Sequence, residues 1–376
     1  MSETADYSNI APYQDHEVRE VLEKLKNHPS FLNMLQFVDL DASTGDLEDL
    51  LDSIHSIEEF QEKISKPWLM QFLTKTTTSI TSDGFDTLDA EQKHLFISNH
   101  RDIILDSALL NILLHDHHLQ TAETAIGDNL LKFDLVKTLT RLNKNFMVRR
   151  SGSSRELYEH SLLLSSYIRK KIVDRESSIW LAQKEGRAKD GNDKTQQGVL
   201  KMLNLSNEAE LEAGFKALCI RPMSVSYEYD PCDRFKIKEL LAKQMGQPHV
   251  KEEEEDLKNI VAGMLEQKGH VHVSIQPQLD QELDELAEIK NINDKVARLA
   301  EIIDQAIYRS YKLFENNYVA FDLLHKTRAW QARYSAEKAQ EFTDHVAEVC
   351  KDFPECARSI LLKKYAYPLI NHLNIE

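Results

Sequence analysis

The sequence predicts an α/β protein with a mixed, partly parallel sheet flanked by helices and with helical regions at both ends. Three observations support this fold class. Short strand-like runs alternate with helical segments through the middle of the 376-residue chain, a pattern typical of sheets with parallel members. The content of only 11 Gly and 9 Pro argues against a turn-rich sandwich or barrel. Near both ends, apolar residues recur at three- and four-residue spacing, which is the helical period.

Helical periodicity defines the two terminal regions. From about residue 15 to residue 75, apolar residues recur three or four positions apart, beginning with Val18, Val21 and Leu22. A second stripe of this kind extends over residues 279–307 and is more typical of a packed amphipathic helix than of a coiled coil. We therefore divide the chain into a helical N-terminal region, a central domain and a helical C-terminal region, with bounds 1–75, 76–285 and 286–376.

The central domain alternates β-prone runs with helices. Its first run is rich in Thr and Ser and closes at Asp83 and Gly84, which is a turn signal. A helix begins after Asp106 and Ser107, which form an N-terminal signal for it. The predicted strands are 76–81, 95–98, 146–148, 178–182, 218–220 with 223–227 around Pro222, and 271–275, and the predicted helices include 108–114 and 157–173.

The charge of the chain restricts its partners. A net charge of −16 argues against a general nucleic-acid partner, because phosphate backbones attract basic surfaces. The charge is uneven, however, since residues 132–175 contain eleven Lys or Arg and four Asp or Glu, a local net charge of +7. This basic segment indicates an anionic ligand or membrane surface, or else a solvated helix face.

The cysteines and the apolar segments bear on location. The four cysteines form no CxxC pair and fit free thiols in a reducing compartment. The N-terminus lacks the basic and then apolar pattern of a signal peptide. No stretch approaches the ~20 apolar residues that a membrane-spanning helix needs. We therefore expect a cytoplasmic protein that contacts lipid only from the surface.

A histidine follows a predicted strand at the start of a polar turn. His100 comes just after the apolar run 95–98, and open α/β sheets place ligands at such strand ends. An imidazole can take a proton from an attacking hydroxyl, especially when a carboxylate holds its other ring nitrogen. Asp106 can do this if the chain turns back at the start of the next helix, and Asp102 is the alternative partner. From these residues alone, a purely structural histidine is the other interpretation.

Residues 99–107, NHRDIILDS, resemble the signature of the glycerol-3-phosphate/1-acyl-glycerol-3-phosphate acyltransferase superfamily. Four later segments are similar to further motifs of that superfamily and come in the same order. They are FMVRR at 146–150, EGRAKDG at 185–191, IRPMSVSY at 220–227, and residues 271–279 with Pro277. The resemblance covers roughly residues 75–285, and it depends on the order and spacing of the five motifs rather than on any one of them.

The resemblance implies a role for each motif. His100 would be the general base on the acceptor hydroxyl, and Asp106 would orient it. The cations Arg149, Arg150, Arg187 and Lys189 would hold the acceptor phosphate, for which arginine offers planar, bidentate donors. The residues expected to shape the site are Asn99, Glu185, Gly186, Pro222 and Ser224, of which Pro222 and Ser224 would lie on the acyl or thioester side.

Two departures from the superfamily pattern leave alternatives open. Five residues separate His100 from Asp106, where the common pattern has four, so either the turn bulges or Asp102 takes the role. The third motif is one residue short, so either Arg187 or Lys189 fills its arginine position. The segment HDHH at 115–118 suggests a metal site, but adjacent histidines rarely converge on one ion, and we expect a surface loop and no metal.

The resemblance also implies the substrates. The acceptor would be glycerol 3-phosphate or 1-acyl-glycerol 3-phosphate, and the co-substrate would be acyl-CoA or acyl carrier protein, with no further cofactor. Such an enzyme of phospholipid biosynthesis would contact the inner face of the cytoplasmic membrane peripherally. The alternatives are an acyltransferase for another lyso-lipid, such as a lyso-aminolipid, and an inactive lipid-binding or scaffold homologue.

Overall fold

The computed structural model describes residues 6–36, 47–247 and 254–375. Its centre is a seven-stranded sheet in the order β1-β7-β6-β2-β5-β3-β4. Among these strands, neighbours run parallel except β6 and β7, which are antiparallel. The strands are β1 (Thr77–Asp83), β2 (Leu95–Ser98), β3 (Glu123–Gly127), β4 (Asn145–Val148), β5 (Ile179–Ala182), β6 (Ile220–Tyr227) and β7 (Gly269–Ile275). The predicted α/β class with a mixed, partly parallel sheet is confirmed, and the observed sheet is mostly parallel.

Helices surround this sheet and fill both ends of the chain. The helices up to the middle of the chain are α1 (Asp15–Leu25), α2 (Pro29–Leu35), α3 (Leu47–Asp52), α4 (Ile57–Phe60), α5 (Lys66–Thr76), α6 (Leu105–Asp116), α7 (Asp134–Leu142) and α8 (Ser154–Val173). The later ones are α9 (Gln197–Asn204), α10 (Leu211–Lys216), α11 (Asp233–Gln244), α12 (Glu255–Leu265), α13 (Asp280–Asp284), α14 (Ile292–Arg309), α15 (Glu315–His325), α16 (Ala336–Cys350) and α17 (Cys356–Leu373).

Each face of the sheet carries its own apolar core, because successive side chains of a strand point to opposite faces. In the central strand β2, Leu95 and Ile97 join the core formed with α8, α9 and α14, whereas Phe96 joins the core formed with α5 and α6. All four residues of β2 are buried. A strand covered on both faces reads as a continuous apolar run, which is why the sequence predicts it correctly.

The terminal helices form two further cores. Helices α1 to α4 enclose a cluster that also includes Leu142 at the end of α7. Helices α15 to α17 pack against α11, with Phe342 and Leu361 fully buried between them. Helix α14 instead packs on the sheet itself, where Leu299 and Ile303 are fully buried. The division of the chain at residues 75 and 285 stays a prediction.

Two local features differ from the sequence prediction. Strand β3 was not predicted, because it begins with Glu123 and Thr124, whose burial depends on distant partners: the hydroxyl of Tyr167 donates to the Glu123 carboxylate. The stripe 279–307 is not one helix, since it breaks between α13 and α14, where the Asn291 side chain accepts a hydrogen bond from Asn293 and caps α14. No helix in the described part of the chain is long and apolar enough to cross a membrane.

Candidate active site

The carboxyl ends of five parallel strands meet at one edge of the sheet. Strands β2, β3, β4, β5 and β6 all run in the same direction. The turn containing His100 follows β2, Arg149 follows β4, and the third motif follows β5. This is the edge at which open α/β sheets bind ligands, so the topology gathers the motifs that are far apart in the sequence.

His100 and Asp106 form a hydrogen-bonded pair in this edge. The Nδ1 atom of His100 lies 2.7 Å from Oδ2 of Asp106. The same oxygen accepts the backbone N–H groups of Arg101 at 2.6 Å and Asp102 at 2.9 Å, and the other oxygen accepts the Tyr227 hydroxyl at 2.8 Å. Asp106 is fully buried. The carboxylate is therefore held by four donors, and it fixes the ring so that Nε2 is the nitrogen left for a substrate proton.

Asp102 has a different position. Its Oδ1 atom accepts the backbone N–H groups of Ile104 and Leu105, each at 2.9 Å, and so it caps the first turn of α6. Burial and the nearby Asp106 raise the pKa of Asp102 above its usual value, while the charge of Arg187 offsets part of this increase. Of the two candidate partners, the structure thus brings Asp106 to His100, and the extra residue is absorbed in the turn that Asp102 caps.

The residues on either side of His100 are fixed by the neighbouring strands. Asn99 exchanges two hydrogen bonds with the backbone of Val225 in β6, at 2.8 and 3.0 Å. The ring of Trp180 in β5 meets the His100 ring edge-on at 5.5 Å between centroids, and its Nε1–H donates to Ser98 at 2.9 Å. The imidazole is consequently held from the side as well as by its carboxylate.

The two arginines after β4 are less tightly held. Arg149 contacts Glu156 at 3.4 Å, and its side chain is 45 % exposed. The guanidinium of Arg150 lies 3.6 Å from Glu185, which joins the second and third motifs. If residue 127 had a side chain, its Cβ atom would lie only 2.4 Å from the Nε atom of Arg150. The glycine at the end of β3 therefore leaves room for the Arg150 side chain. Both arginines are accessible to an anionic ligand.

The third motif packs directly on the His100 turn. The backbone N–H of Ala188 donates to the His100 carbonyl at 2.7 Å. Arg187 donates to Asn259 of α12 at 3.0 Å, and its NH1 group is buried without a hydrogen-bond partner. Lys189 instead pairs with Glu239 of α11. Gly186 has a φ of +71°, which glycine adopts without strain, and this turn exposes Glu185 beside it.

Pro222 and Ser224 lie inside strand β6. Pro222 is paired with Ile97 of β2. The hydroxyl of Ser224 donates to the Ser310 carbonyl at 2.9 Å, and the residue is fully buried. Neither contributes to the lining of the cavity described next, and their role on the acyl side stays a prediction.

An apolar cavity of about 330 Å³ begins beside the His100 turn. One stripe of α6 forms a wall of it, running from Ile104 through Ser107, Ala108 and Asn111 to His115, which is ~16 Å at 1.5 Å per residue. The other walls come from the N-terminal helices, strand β3, helix α7 and helix α12, and they include Met34, Phe60, Trp68, Leu69, Ala125, Ile126, Val136, Leu139, Leu257 and Ile260. Its length and apolar lining suit a hydrocarbon chain.

Several residues at this site escaped the sequence analysis. Tyr227 ends the fourth motif, and its position at the end of a strand is the one sequence feature that indicates a place at the site. No sequence feature indicates that Asn259 lies there, because α12 is brought next to Arg187 only by tertiary packing. The histidines of 115–118 separate: His115 contacts Lys66 and lines the cavity, while His117 stacks on Phe85. Within the described residues, no three His, Cys, Asp or Glu are arranged to hold a metal ion.

One family model and one solved structure are similar to this chain. Residues 79–202 match the model of the family described as Acyltransferase. One similar solved structure is that of the 1-acyl-sn-glycerophosphate (LPA) acyltransferase PlsC from Thermotoga maritima, with 10% sequence identity and a TM-score of 0.38 over 78% of this chain and 97% of that chain. No curated protein sequence matches the chain significantly. The family match spans the His100 turn and the second and third motifs.

Proposed function

Residues 79–202 match the Acyltransferase family, and from that premise we propose the reaction of this acyltransferase. The enzyme transfers a fatty acyl group from acyl-CoA or acyl carrier protein to the hydroxyl of glycerol 3-phosphate or 1-acyl-glycerol 3-phosphate. One observation carries the proposal: the turn that holds the His100–Asp106 pair also contributes Ile103 and Ile104 to the lining of an apolar cavity long enough for an acyl chain.

The chemistry follows from the arrangement of His100. Nδ1 is engaged by Asp106, so Nε2 accepts the proton of the acceptor hydroxyl as its oxygen attacks the thioester carbonyl. Asp106 stabilises the imidazolium that forms. When the tetrahedral intermediate collapses, the carbon–sulfur bond breaks and the imidazolium returns the proton to the leaving thiolate. The acyl group passes directly to the acceptor without an acyl-enzyme.

The acceptor phosphate would be bound by Arg149, Arg150, Arg187 and Lys189. Arg149, Arg150 and Lys189 each pair with a single side-chain carboxylate. Arg187 donates to the Asn259 side chain and has a buried NH1 group without a hydrogen-bond partner. A phosphate can replace weak partners of exposed cations at little cost, because exposed ion pairs contribute only ~0–1 kcal/mol. Charge-assisted bonds to phosphate are stronger and more directional.

The acceptor would be taken from a membrane surface. Leu257, Val261 and Leu265 are exposed at four-residue spacing along α12, and Leu257 also lines the cavity. Phe133, at the start of α7, is 61 % exposed. The α12 stripe, together with Phe133, would contact lipid peripherally at the inner face of the cytoplasmic membrane. Flotation with anionic vesicles at low salt tests this; no binding by wild type, or equal binding by Val261→Asp, contradicts it.

The reaction is tested with labelled palmitoyl-CoA and palmitoyl-acyl carrier protein, each offered with glycerol 3-phosphate and with 1-acyl-glycerol 3-phosphate. Product formation that requires one acceptor and is lost in His100→Ala supports the proposal and identifies the substrates. Transfer only to other lyso-lipids, such as a lyso-aminolipid, corrects the acceptor. No transfer from either donor to any of these acceptors contradicts the proposal and favours a lipid-binding homologue.

A further inference from the structure

The residue after His100 carries a buried positive charge. Arg101 is only 6% exposed, and its NH2 group donates to Asp193 at 2.6 Å and to the Gly191 carbonyl at 3.3 Å. Its NH1 group donates to Asp230 at 3.2 Å. Burial alone would lower the pKa of Arg101, but Asp193 and Asp230 raise it above its usual value. The guanidinium is therefore anchored from two directions.

Asp193 connects this anchor to helix α14. Besides Arg101, its Oδ2 atom accepts the Asn99 side chain at 3.2 Å and the Tyr311 hydroxyl at 2.6 Å. Its backbone carbonyl accepts the Tyr308 hydroxyl at 2.5 Å. One buried carboxylate thus ties the residues on both sides of His100 to the C-terminal half of the chain.

Asp230 connects the anchor to helix α17. Lys364 of α17 lies 2.9 Å from Asp230 and also pairs with Asp233, while Lys236 pairs with Asp230. The exposed fractions of Lys236 and Lys364 are 0% and 1%. We call the six groups Arg101, Asp193, Asp230, Asp233, Lys236 and Lys364 the buried ion network. It holds three positive and three negative groups, so the loss of any single group leaves a net charge in it.

Helix α17 also touches the loop that holds Arg101. Gly191 has a φ of +77°, and a Cβ atom there would lie 2.1 Å from the Lys364 carbonyl oxygen. The carbonyl of the same Gly191 accepts from Arg101. In addition, Asn371 donates to Asn192 at 3.4 Å. Two independent contacts, one through charge and one through backbone packing, thus connect α17 with the turn.

We propose that Lys364 of the C-terminal helix α17 is a positioning residue for His100, acting through Asp230 and Arg101. This rests on the proposed acyl transfer. Lys364 fixes the Asp230 carboxylate, and the Oδ2 atom that it contacts also accepts the Arg101 side chain. Arg101 is thereby held in place, so its backbone N–H stays on the Asp106 carboxylate that orients the imidazole. The C-terminal region is by this route part of the catalytic unit, although no described residue of that region hydrogen-bonds to His100.

The test compares Lys364→Met with Lys363→Met in the full-length protein. Lys363 is the exposed neighbour on the same helix and contacts only Tyr367 among the described interactions, so it is the matched control. We expect Lys364→Met to lower kcat about tenfold or more with KM for both substrates within twofold, and Lys364→Arg to restore much of kcat. Lys363→Met should equal wild type. A folded Lys364→Met with wild-type kcat overturns the proposal.

A second measurement does not depend on activity. Hydrogen exchange of a peptide covering residues 99–106 reports the amides of Arg101 and Asp102, which donate to Asp106. Exchange there should be faster in Lys364→Met than in Lys363→Met, with peptides of α1 unchanged; equal exchange contradicts the proposal. If Lys364→Met does not fold, Lys364→Gln, which removes the charge but keeps a hydrogen-bond donor near Asp230, should show a smaller effect of the same kind, and exchange equal to that of Lys363→Met contradicts the proposal. If the wild-type protein shows no acyl transfer but the amides of Arg101 and Asp102 are protected as expected, the result contradicts the proposed acyl transfer and not the positioning role of Lys364.

Discussion

The His100 turn lies between two regions of opposite character. On one side is the buried ion network, to which α11, α17 and the loops after β5 and β6 contribute. On the other side is the apolar cavity, walled by α6, α7, α12 and the N-terminal helices. The first region is buried and its charges are paired, whereas the second is a cavity with a mainly apolar lining.

The difference shows how the two terminal regions divide the work. Paired charges in a low-dielectric interior fix geometry, because each group loses several interactions if it moves. An apolar cavity fixes little, but it accepts a hydrocarbon chain by burying its surface. The C-terminal helices thus determine where His100 is held, and the N-terminal helices determine what can lie beside it.

Removing the His100 imidazole, which lies between the two regions, should have the largest effect on kcat. His100→Ala should lower kcat ~10²–10⁴-fold, because the general base is lost. Acyl transfer measured at saturating donor and acceptor checks this. His16→Ala, at an exposed position of α1, is the control and should match wild type. If the kcat of His100→Ala is within tenfold of the wild-type value, His100 is not the general base.

The next largest effect should separate the two aspartates of the turn. Asp106→Asn should lower kcat about 10²-fold or more, because an amide cannot stabilise the imidazolium and can present its donor to Nδ1. Asp102→Asn keeps an acceptor for the amides of α6 and should change kcat far less. The reverse order in the same transfer assay would make Asp102 the functional partner.

Removing one charge from the buried ion network should lower the free energy of unfolding and leave the choice of substrate unchanged. Asp230→Asn leaves Arg101, Lys236 and Lys364 with too few negative partners, and breaking a buried pair costs about 3–5 kcal/mol. Denaturant unfolding measures this. The control Asp52→Asn removes an exposed partner of Lys26 and should leave the free energy of unfolding near the wild-type value. Equal values for both variants would mean that the network does not stabilise the fold.

Acid should distinguish wild type from Asp230→Asn. Burial alone would raise the pKa of Asp230, but Lys236, Lys364 and Arg101 hold it below its usual value. A carboxyl whose pKa is lowered by folding stabilises the protein above its unfolded pKa of ~3.9, and this contribution is lost as the pH falls through the folded value. The free energy of unfolding of wild type should therefore fall more steeply below pH ~4 than that of Asp230→Asn.

Filling the cavity should change selectivity without changing the turn. Ala108 lies in the α6 stripe, and Ala108→Phe would shorten the space along it. We expect kcat/KM for palmitoyl-CoA to fall about tenfold relative to octanoyl-CoA, since the longer chain must displace the new ring. The short donor is the internal control. An unchanged ratio of the two values would place the acyl chain elsewhere.

The smallest effect is expected at the exposed cations. Arg150→Ala should raise KM for the phosphate-bearing acceptor about tenfold, the value of one charge-assisted bond of ~1.5 kcal/mol, with KM for the acyl donor unchanged. Arg155→Ala is the matched control, because Arg155 is 87% exposed in the same basic segment and pairs with Glu159. Equal acceptor KM values for the two variants would exclude Arg150 from the phosphate site.

Periodicity and turn signals predicted most of the strands, because a strand buried on both faces is apolar throughout, as in β2. They did not predict β3, since Glu123 looks like a surface residue until Tyr167 and Lys171 are brought to it. They also joined α13 and α14 into one stripe. In each case the missing information was a contact between residues far apart in the sequence.

The sequence by itself determined the order of the motifs, the helical ends, and the residue types around His100. The tertiary structure decided which aspartate contacts the imidazole and that the Tyr227 hydroxyl donates to that aspartate. It also decided that Lys364 contacts Asp230, the carboxylate that anchors Arg101. The physical reason is that residue types and local periods are properties of short segments. Hydrogen-bond partners and buried charge pairs form only when segments more than a hundred residues apart pack together, as Arg101 and Asp230 do.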